Sequence, residues 1–343
     1  MAPPLLQVAD LRVQFATEDG IVRAADGVSF DLNEGEVLAI VGESGCGKSV
    51  TAQTLIGLTR SPNARIEGSV RYADRELLAA RGEELQRVRG EEIAMVFQDP
   101  MTSLNPVYRI GDQITEQILA HSKVSDEAAW EEAVRLLHAV GIPDAERRAR
   151  NYPHEYSGGM RQRAMIAMAL SLEPSILIAD ELSTALDVTI QAQILRLLEL
   201  LNSDRGLAVV VITHDLGVVA EVADRILVMY AGRIVESGTL EQIFYDPQHP
   251  YTWGLLGSLT RLDQPRTKRL AQIRGQPPSL LAPPLGCHFR PRCPHASERC
   301  EEVPELKQRA GVAGHADRCW LGPEQKRSLR QVGDRIGLEV PAE

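Results

Sequence analysis

The chain has 343 residues, 44% of them apolar and 24% charged, an ordinary globular balance for one large domain with an appendage or for two medium domains. A formal net charge of −10 argues against general nucleic-acid binding, leaving room only for a local basic groove. The sequence has no apolar run of the roughly eighteen residues that a spanning helix needs, and Met1–Leu6 lacks the basic start and apolar core of a secretory signal, so the expectation is a cytoplasmic chain that meets a membrane only through partners.

In chain order, Leu11–Phe15 and Val28–Leu32 alternate as strands do, with a turn at Glu18-Asp19-Gly20 between them. Asn33–Glu36 reads as another turn, and Val37–Val41 as a wholly apolar strand. A glycine loop follows, then a helix from Ser49 onward. Residues 110–137 have a helical pattern, as do 160–172 and 190–202. Ile176–Ala179 and Ala208–Ile212 are short apolar runs suited to buried parallel strands. Strands alternating with helices imply an α/β domain with a mostly parallel sheet. Near Asp246 the composition turns to Pro, Arg, His and Cys, which places a boundary between 1–245 and 246–343. No internal repeat is evident.

Gly42-Glu43-Ser44-Gly45-Cys46-Gly47-Lys48-Ser49 fits G-x-x-x-x-G-K-[ST] in full, after a buried strand and before a helix. Glycines let backbone N–H groups wrap a phosphate chain, and the helix start adds partial positive charge. Lys48 is expected on the β- and γ-phosphates of a nucleotide and Ser49 on Mg²⁺, with the backbone from Gly42 to Val50 lining the phosphates. Cys46 stands at a variable position of the loop and is read as a bystander. A fortuitous glycine turn would not come with this strand and this helix. Ile176–Glu181 is an apolar strand ending in two carboxylates. Acids often merely end a strand; paired with the phosphate loop, Asp180 is expected to hold Mg²⁺ through water and Glu181 to act as general base toward the attacking water.

A specific resemblance begins at Tyr156-Ser157-Gly158-Gly159-Met160-Arg161-Gln162-Arg163. This string resembles the signature motif of ABC ATPases, with S-G-G-M for the commoner S-G-G-Q. The resemblance implies that Ser157, Gly158, Gly159 and Met160 face the γ-phosphate bound to an opposing subunit, in a head-to-tail dimer with two ATP molecules between the halves. Three more strings agree with it. Val96–Pro100 looks like the Q-loop, with Gln98 sensing Mg²⁺ and water. Thr184–Asp187 looks like the D-loop, with Asp187 contacting the other subunit. Thr213-His214-Asp215 looks like the switch histidine, with His214 near the γ-phosphate. A lone histidine after a strand is ordinarily structural, but its order behind the other motifs reverses that preference. The similarity covers residues 5–245 and implies a parallel sheet core, an antiparallel β subdomain and a helical subdomain at about 99–170.

Longer strings narrow the resemblance. Phe97–Pro106, Tyr152–Met160, Ala185–Gln193, His249–Thr252 and Gly275–Leu280 are similar to the ATP-binding subunits of oligopeptide and dipeptide importers. That resemblance implies a peripheral subunit on the cytoplasmic side of the inner membrane. Its partners would be a second, different ATPase chain, two integral-membrane permeases and, through them, an extracytoplasmic peptide-binding protein. Related machines import nickel, opines or sugars, and non-transport ABC ATPases have coiled-coil insertions or tandem cassettes that this chain lacks. Two departures stand out. Leu182 follows Glu181 where the family has proline, and no aromatic residue falls in Asp19–Val22, where one usually stacks on adenine; Phe15 is the nearest ring.

Four of the five cysteines crowd the C-terminal part as Cys287-x5-Cys293-x6-Cys300-x18-Cys319. In a reducing compartment this reads as a metal site replacing a core that the proline-rich segment cannot build. Structural zinc favours two close Cys pairs, which are absent here. Iron–sulfur, zinc and no metal all remain open on spacing alone; the importer resemblance implies a [4Fe–4S] cluster. His288, His295 and His315 are close enough in sequence to substitute as ligands but are expected to face solvent.

Overall fold

The computed structural model describes residues 3–99, 103–181, 188–258 and 273–333. β1 (Leu6–Thr17) and β2 (Gly20–Leu32) form a hairpin. Apolar residues of β1 point inward at Leu6, Val8, Leu11 and Val13. That spacing slips by one between Val8 and Leu11, and a bulge there, with Asp10 at φ 46°, keeps both on the core face. β4 (Ala64–Tyr72) pairs with β1, and the short β5 (Arg75–Glu76) with β4, closing a four-stranded antiparallel sheet ordered β2-β1-β4-β5.

The second sheet has the order β11-β12-β10-β9-β3-β8-β7-β6. Its parallel part contains β3 (Val37–Val41), β6 (Ile93–Val96), β7 (Ile176–Asp180), β8 (Ala208–Thr213) and β9 (Arg225–Tyr230). Every residue of β3, β7 and β8 is buried, as an all-apolar run predicts when both faces of a sheet are covered. Alternate side chains serve two cores. Leu177 and Ala179 of β7 join the helical layer, whereas Ile176 and Ile178 join the antiparallel sheet. The helical layer contains Ile110–His121, Asp126–Ala139, Ala145–Ala149 and Gly158–Ala169. The single helical pattern read over 110–137 is two helices, because Ser125 accepts the Ala128 N–H and caps a fresh start.

Past β9, β10 (Arg233–Thr239) turns back antiparallel, and β12 (Ala316–Asp317) and β11 (Lys307–Gln308) extend the same sheet from the C-terminal part. This part does have a core. Tyr251, on the helix Pro250–Gly257, is fully buried and packs with Tyr230 of β9 and with Phe289, the ring centroids 4.6 and 5.4 Å away. Cys287 and Cys293 pack against this cluster as small apolar side chains.

The expectation of an iron–sulfur or other metal centre at Cys287, Cys293, Cys300 and Cys319 is therefore corrected. Among the described residues no group of three or more His, Cys, Asp or Glu side chains is placed to hold a metal ion. The four cysteines line a cleft of about 270 Å³, and burial pushes the Cys293 thiol up to about 11 and the Cys319 thiol up to about 12, favouring the protonated form. Aromatic packing onto β9 does what the metal was expected to do. Two of the three histidines also differ from expectation: His288 Nδ1 donates to the Ala231 carbonyl, 2.8 Å away, and His315 is fully buried against Glu236.

Candidate functional site

Motif residues from four separate strands meet at the carboxyl ends of the parallel sheet, the edge at which open α/β sheets bind ligands. The glycine loop leaves β3, Gln98 follows β6, Asp180 and Glu181 end β7, and His214 follows β8. Two glycines of the loop are required by their surroundings. A Cβ on Gly47 (φ +104°) would lie 2.0 Å from the Ala24 carbonyl oxygen, and one on Gly42 (φ +158°) 2.2 Å from that of Met229. The helix Lys48–Leu55 starts directly behind Gly47.

Lys48 is buried, and its ammonium donates to the carbonyls of Gly42 (2.9 Å) and Glu43 (3.2 Å), bridging the mouth of the loop. Its Nζ is 3.9 Å from Glu181 Oε1. Ser49 Oγ donates to Asp180 Oδ1 at 3.0 Å. Burial pushes the Asp180 carboxyl up, and the Ser49 hydrogen bond works against that shift. Glu181 accepts from Gln98 Nε2 at 2.7 Å, and His214 Nδ1 is 3.6 Å from it. The Glu181 backbone is left-handed, at φ 49°, a conformation that costs a non-glycine residue about 1–3 kcal/mol and recurs at functional sites. The strained turn swings its carboxylate from the strand end toward Gln98, Lys48 and His214.

One ammonium, one hydroxyl, two carboxylates, an amide and an imidazole thus surround a glycine-rich loop. The hard oxygens of Ser49 and Asp180, hydrogen-bonded to each other beside Gln98, are a donor set that suits Mg²⁺. Positive charge and loop amides suit phosphates.

Ser157, Gly158, Gly159 and Met160 lie elsewhere, at the start of a helix in the helical layer. Ser157 Oγ accepts the Met160 N–H at 3.3 Å and caps that helix, and nothing stands within 4 Å of a Cβ built on Gly158. This anion-type helix start faces open space. Asp187, Leu182 and the rest of 182–187 lie outside the described residues, as do 100–102. Phe15 packs on the core beneath β1, so it is a strand residue.

The loop has one buried side chain of its own and two contacts that the sequence reading missed. Cys46 is buried under the loop, its thiol pushed up to about 11 by burial. Tyr251 Oη accepts the Glu43 N–H at 2.8 Å, and Arg292 forms a two-pronged ion pair with the Glu43 carboxylate. The only local signal was His249-Pro250-Tyr251, a capping residue with proline at the first helical position.

Comparison with known proteins gives a consistent result. A family model described as ABC transporter matches residues 25–184, and one described as the C-terminal region of oligopeptide/dipeptide transporters matches residues 235–300. The chain is 50% identical to the dipeptide transport ATP-binding protein of Bacillus subtilis over 96% of its own length and 98% of that protein. It is 54% identical to the oligopeptide transport ATP-binding protein of Salmonella typhimurium, over 88% and 90%. Neither relative is named for an iron–sulfur cluster. Among solved structures, the dimeric structure of a bacterial ABC transporter cassette superposes with a TM-score of 0.62 at 29% identity, covering 68% of this chain and 98% of that one. A dimeric post-hydrolysis cassette bound to ADP and phosphate gives 0.62 at 28%, with the same coverage.

Proposed function

We propose, on the premise that this chain belongs to the ATP-binding proteins of the ABC transporter family of dipeptide and oligopeptide carriers, that it hydrolyses ATP to drive peptide import. The observation that carries the reading is the convergence of Lys48, Ser49, Gln98, Asp180, Glu181 and His214 on one phosphate loop.

In this mechanism the loop amides from Gly42 to Val50 cradle the phosphate chain. Lys48 exchanges its bonds to the Gly42 and Glu43 carbonyls for phosphate oxygens. Ser49 and Asp180 would hold Mg²⁺, which supplies charge neutralisation at the phosphates. Glu181, oriented by Gln98, takes a proton from the attacking water as it adds to the γ-phosphorus. His214 donates toward the γ-phosphate oxygens as the bond to the β-phosphate breaks.

The uncovered helix start at Ser157–Met160 supports a head-to-tail dimer in which it meets the nucleotide of a second ATPase subunit. Closure then depends on ATP and relaxes after hydrolysis. No described helix is long and apolar enough to cross a membrane; the likeness to peptide-transport ATP-binding proteins supports work on the cytoplasmic side through membrane permeases, with an extracytoplasmic peptide-binding protein as supplier of cargo. Uptake of labelled di- and tripeptides by cells deleted for this chain tests the reading. Restoration by the wild type and not by Lys48→Ala supports it; restored uptake of nickel, an opine or a sugar in place of peptide overturns the cargo assignment.

A further inference from the structure

The first half of the phosphate loop is gripped by the C-terminal part of the chain. Arg292 Nη1 lies 2.5 Å from Glu43 Oε2 and Nη2 lies 3.0 Å from Oε1, a fork on a carboxylate 249 positions earlier in the sequence. The Arg292 side chain is 5% exposed and that of Glu43 25%. The guanidinium is itself fixed: Nε donates to the Arg274 carbonyl at 3.0 Å and Nη2 to that of Gly275 at 3.2 Å, and the Tyr230 hydroxyl lies 3.3 Å from Nη1. On the backbone side, the Glu43 N–H is held by the Tyr251 hydroxyl. The pair therefore joins the loop to the C-terminal part of the chain, and the Glu43 bond raises the Arg292 pKa further above its already high ordinary value.

Glu43 is also one of the two residues whose carbonyls receive the Lys48 ammonium. Displacement of Glu43 thus moves the acceptors that aim Lys48. None of the loop's catalytic groups is bonded to Arg292 directly, so the guanidinium acts only through Glu43.

We propose that Arg292 is a positioning residue for the nucleotide: through its fork on Glu43, the C-terminal part of the chain sets the shape of the phosphate loop and so its affinity for ATP. This inference rests on the reading of the loop as an ATP site. Preorganisation of this kind saves the ordering cost at binding, so its loss appears in affinity and leaves the chemical step in place. A lysine carries the charge without the fork.

The test uses the full-length chain with a fluorescent ATP analogue and Mg²⁺, alongside steady-state ATP hydrolysis. Arg292→Met and Glu43→Gln are each expected to raise Kd and KM by about tenfold, the factor that corresponds to about 1.4 kcal/mol, with kcat at saturating ATP retained. Arg292→Lys falls between wild type and Arg292→Met. The double variant binds no worse than the weaker single one, because both changes break the same link. Unchanged Kd in both single variants, additive losses in the double, or a fall in kcat with KM unchanged overturns the proposal. If Arg292→Met does not fold, Glu43→Gln and Arg292→Lys give the same discrimination. A wild-type chain that fails to bind the analogue refutes the ATP reading itself, an outcome distinct from failure of the clamp alone.

Discussion

Glu236 on β10 offers a sharp test of what holds the C-terminal part to the sheet. It is wholly buried, and its carboxylate accepts three bonds: from the Gln248 N–H (2.6 Å), the His249 N–H (2.8 Å) and His315 Nε2 (2.9 Å). Replacing it with Gln leaves the volume nearly unchanged but turns one oxygen into an NH₂ group, which must then face one of the three donors. One buried donor loses its acceptor, at a cost of about 1–3 kcal/mol. At roughly 2–4 °C per kcal/mol for a large domain, the midpoint of thermal unfolding falls by about 2–12 °C. Glu236→Ala orphans all three donors and opens a cavity, so it destabilises more than Glu236→Gln. Differential scanning calorimetry measures the shift, and limited proteolysis locates it, with new cleavage expected between residues 240 and 320. A Glu236→Gln chain as stable as wild type would show that desolvation of the carboxylate offsets its bonds, as it can for buried charges, and the reasoning would fail.

Other expectations are quicker to check. Ser49→Ala removes the hydroxyl bonded to Asp180 and is expected to lower kcat about a hundredfold, roughly 2.7 kcal/mol of barrier, with a raised Mg²⁺ requirement in a metal titration. Gly47→Ala places a Cβ 2.0 Å from the Ala24 carbonyl oxygen at φ +104°; nucleotide binding should vanish while circular dichroism stays native, and wild-type affinity would refute the steric argument. His249 is buried beside Lys326 and Arg318, burial lowers its pKa from 6.5 to about 3, and its neutral Nδ1 accepts the Tyr251 N–H. Between those values the unfolded chain binds the proton and the folded chain does not, so this stability is full above pH 6.5 and is lost as pH falls toward 3, by up to about 1.4 kcal/mol per pH unit. Thermal melts from pH 7 to 5 should show a shallower slope for His249→Gln than for wild type.

The cluster of polar side chains at the glycine loop was legible because each of its parts is local. Val37–Val41 and Ile176–Ala179 announce buried parallel strands by composition, and a parallel sheet brings the residues just past its strands to one edge. The hairpin was legible as well, although its one-residue bulge at Asp10 was not, since period-2 alternation says nothing about where a slip is absorbed. The Arg292–Glu43 pair and the Tyr230–Tyr251–Phe289 cluster were invisible because they depend on how the last hundred residues dock, which no short-range pattern encodes. The cysteines misled for a related reason. Their crowding in a proline-rich stretch suggested a segment with no core of its own, whereas its aromatic residues share the core of the sheet beside them. His288 and His315, expected to face solvent, are buried, His288 at the Ala231 carbonyl just past β9 and His315 against Glu236 of β10.

The most direct test of the central claim is phosphate release from ATP in membrane vesicles that contain the chain with its permease partners, comparing wild type with Glu181→Gln. The carboxylate that Gln98 orients is assigned the proton of the attacking water, so the variant should bind ATP normally and hydrolyse it about 10²–10⁴ times more slowly. Hydrolysis by Glu181→Gln at the wild-type rate, with Mg²⁺ and ATP saturating, would contradict the account.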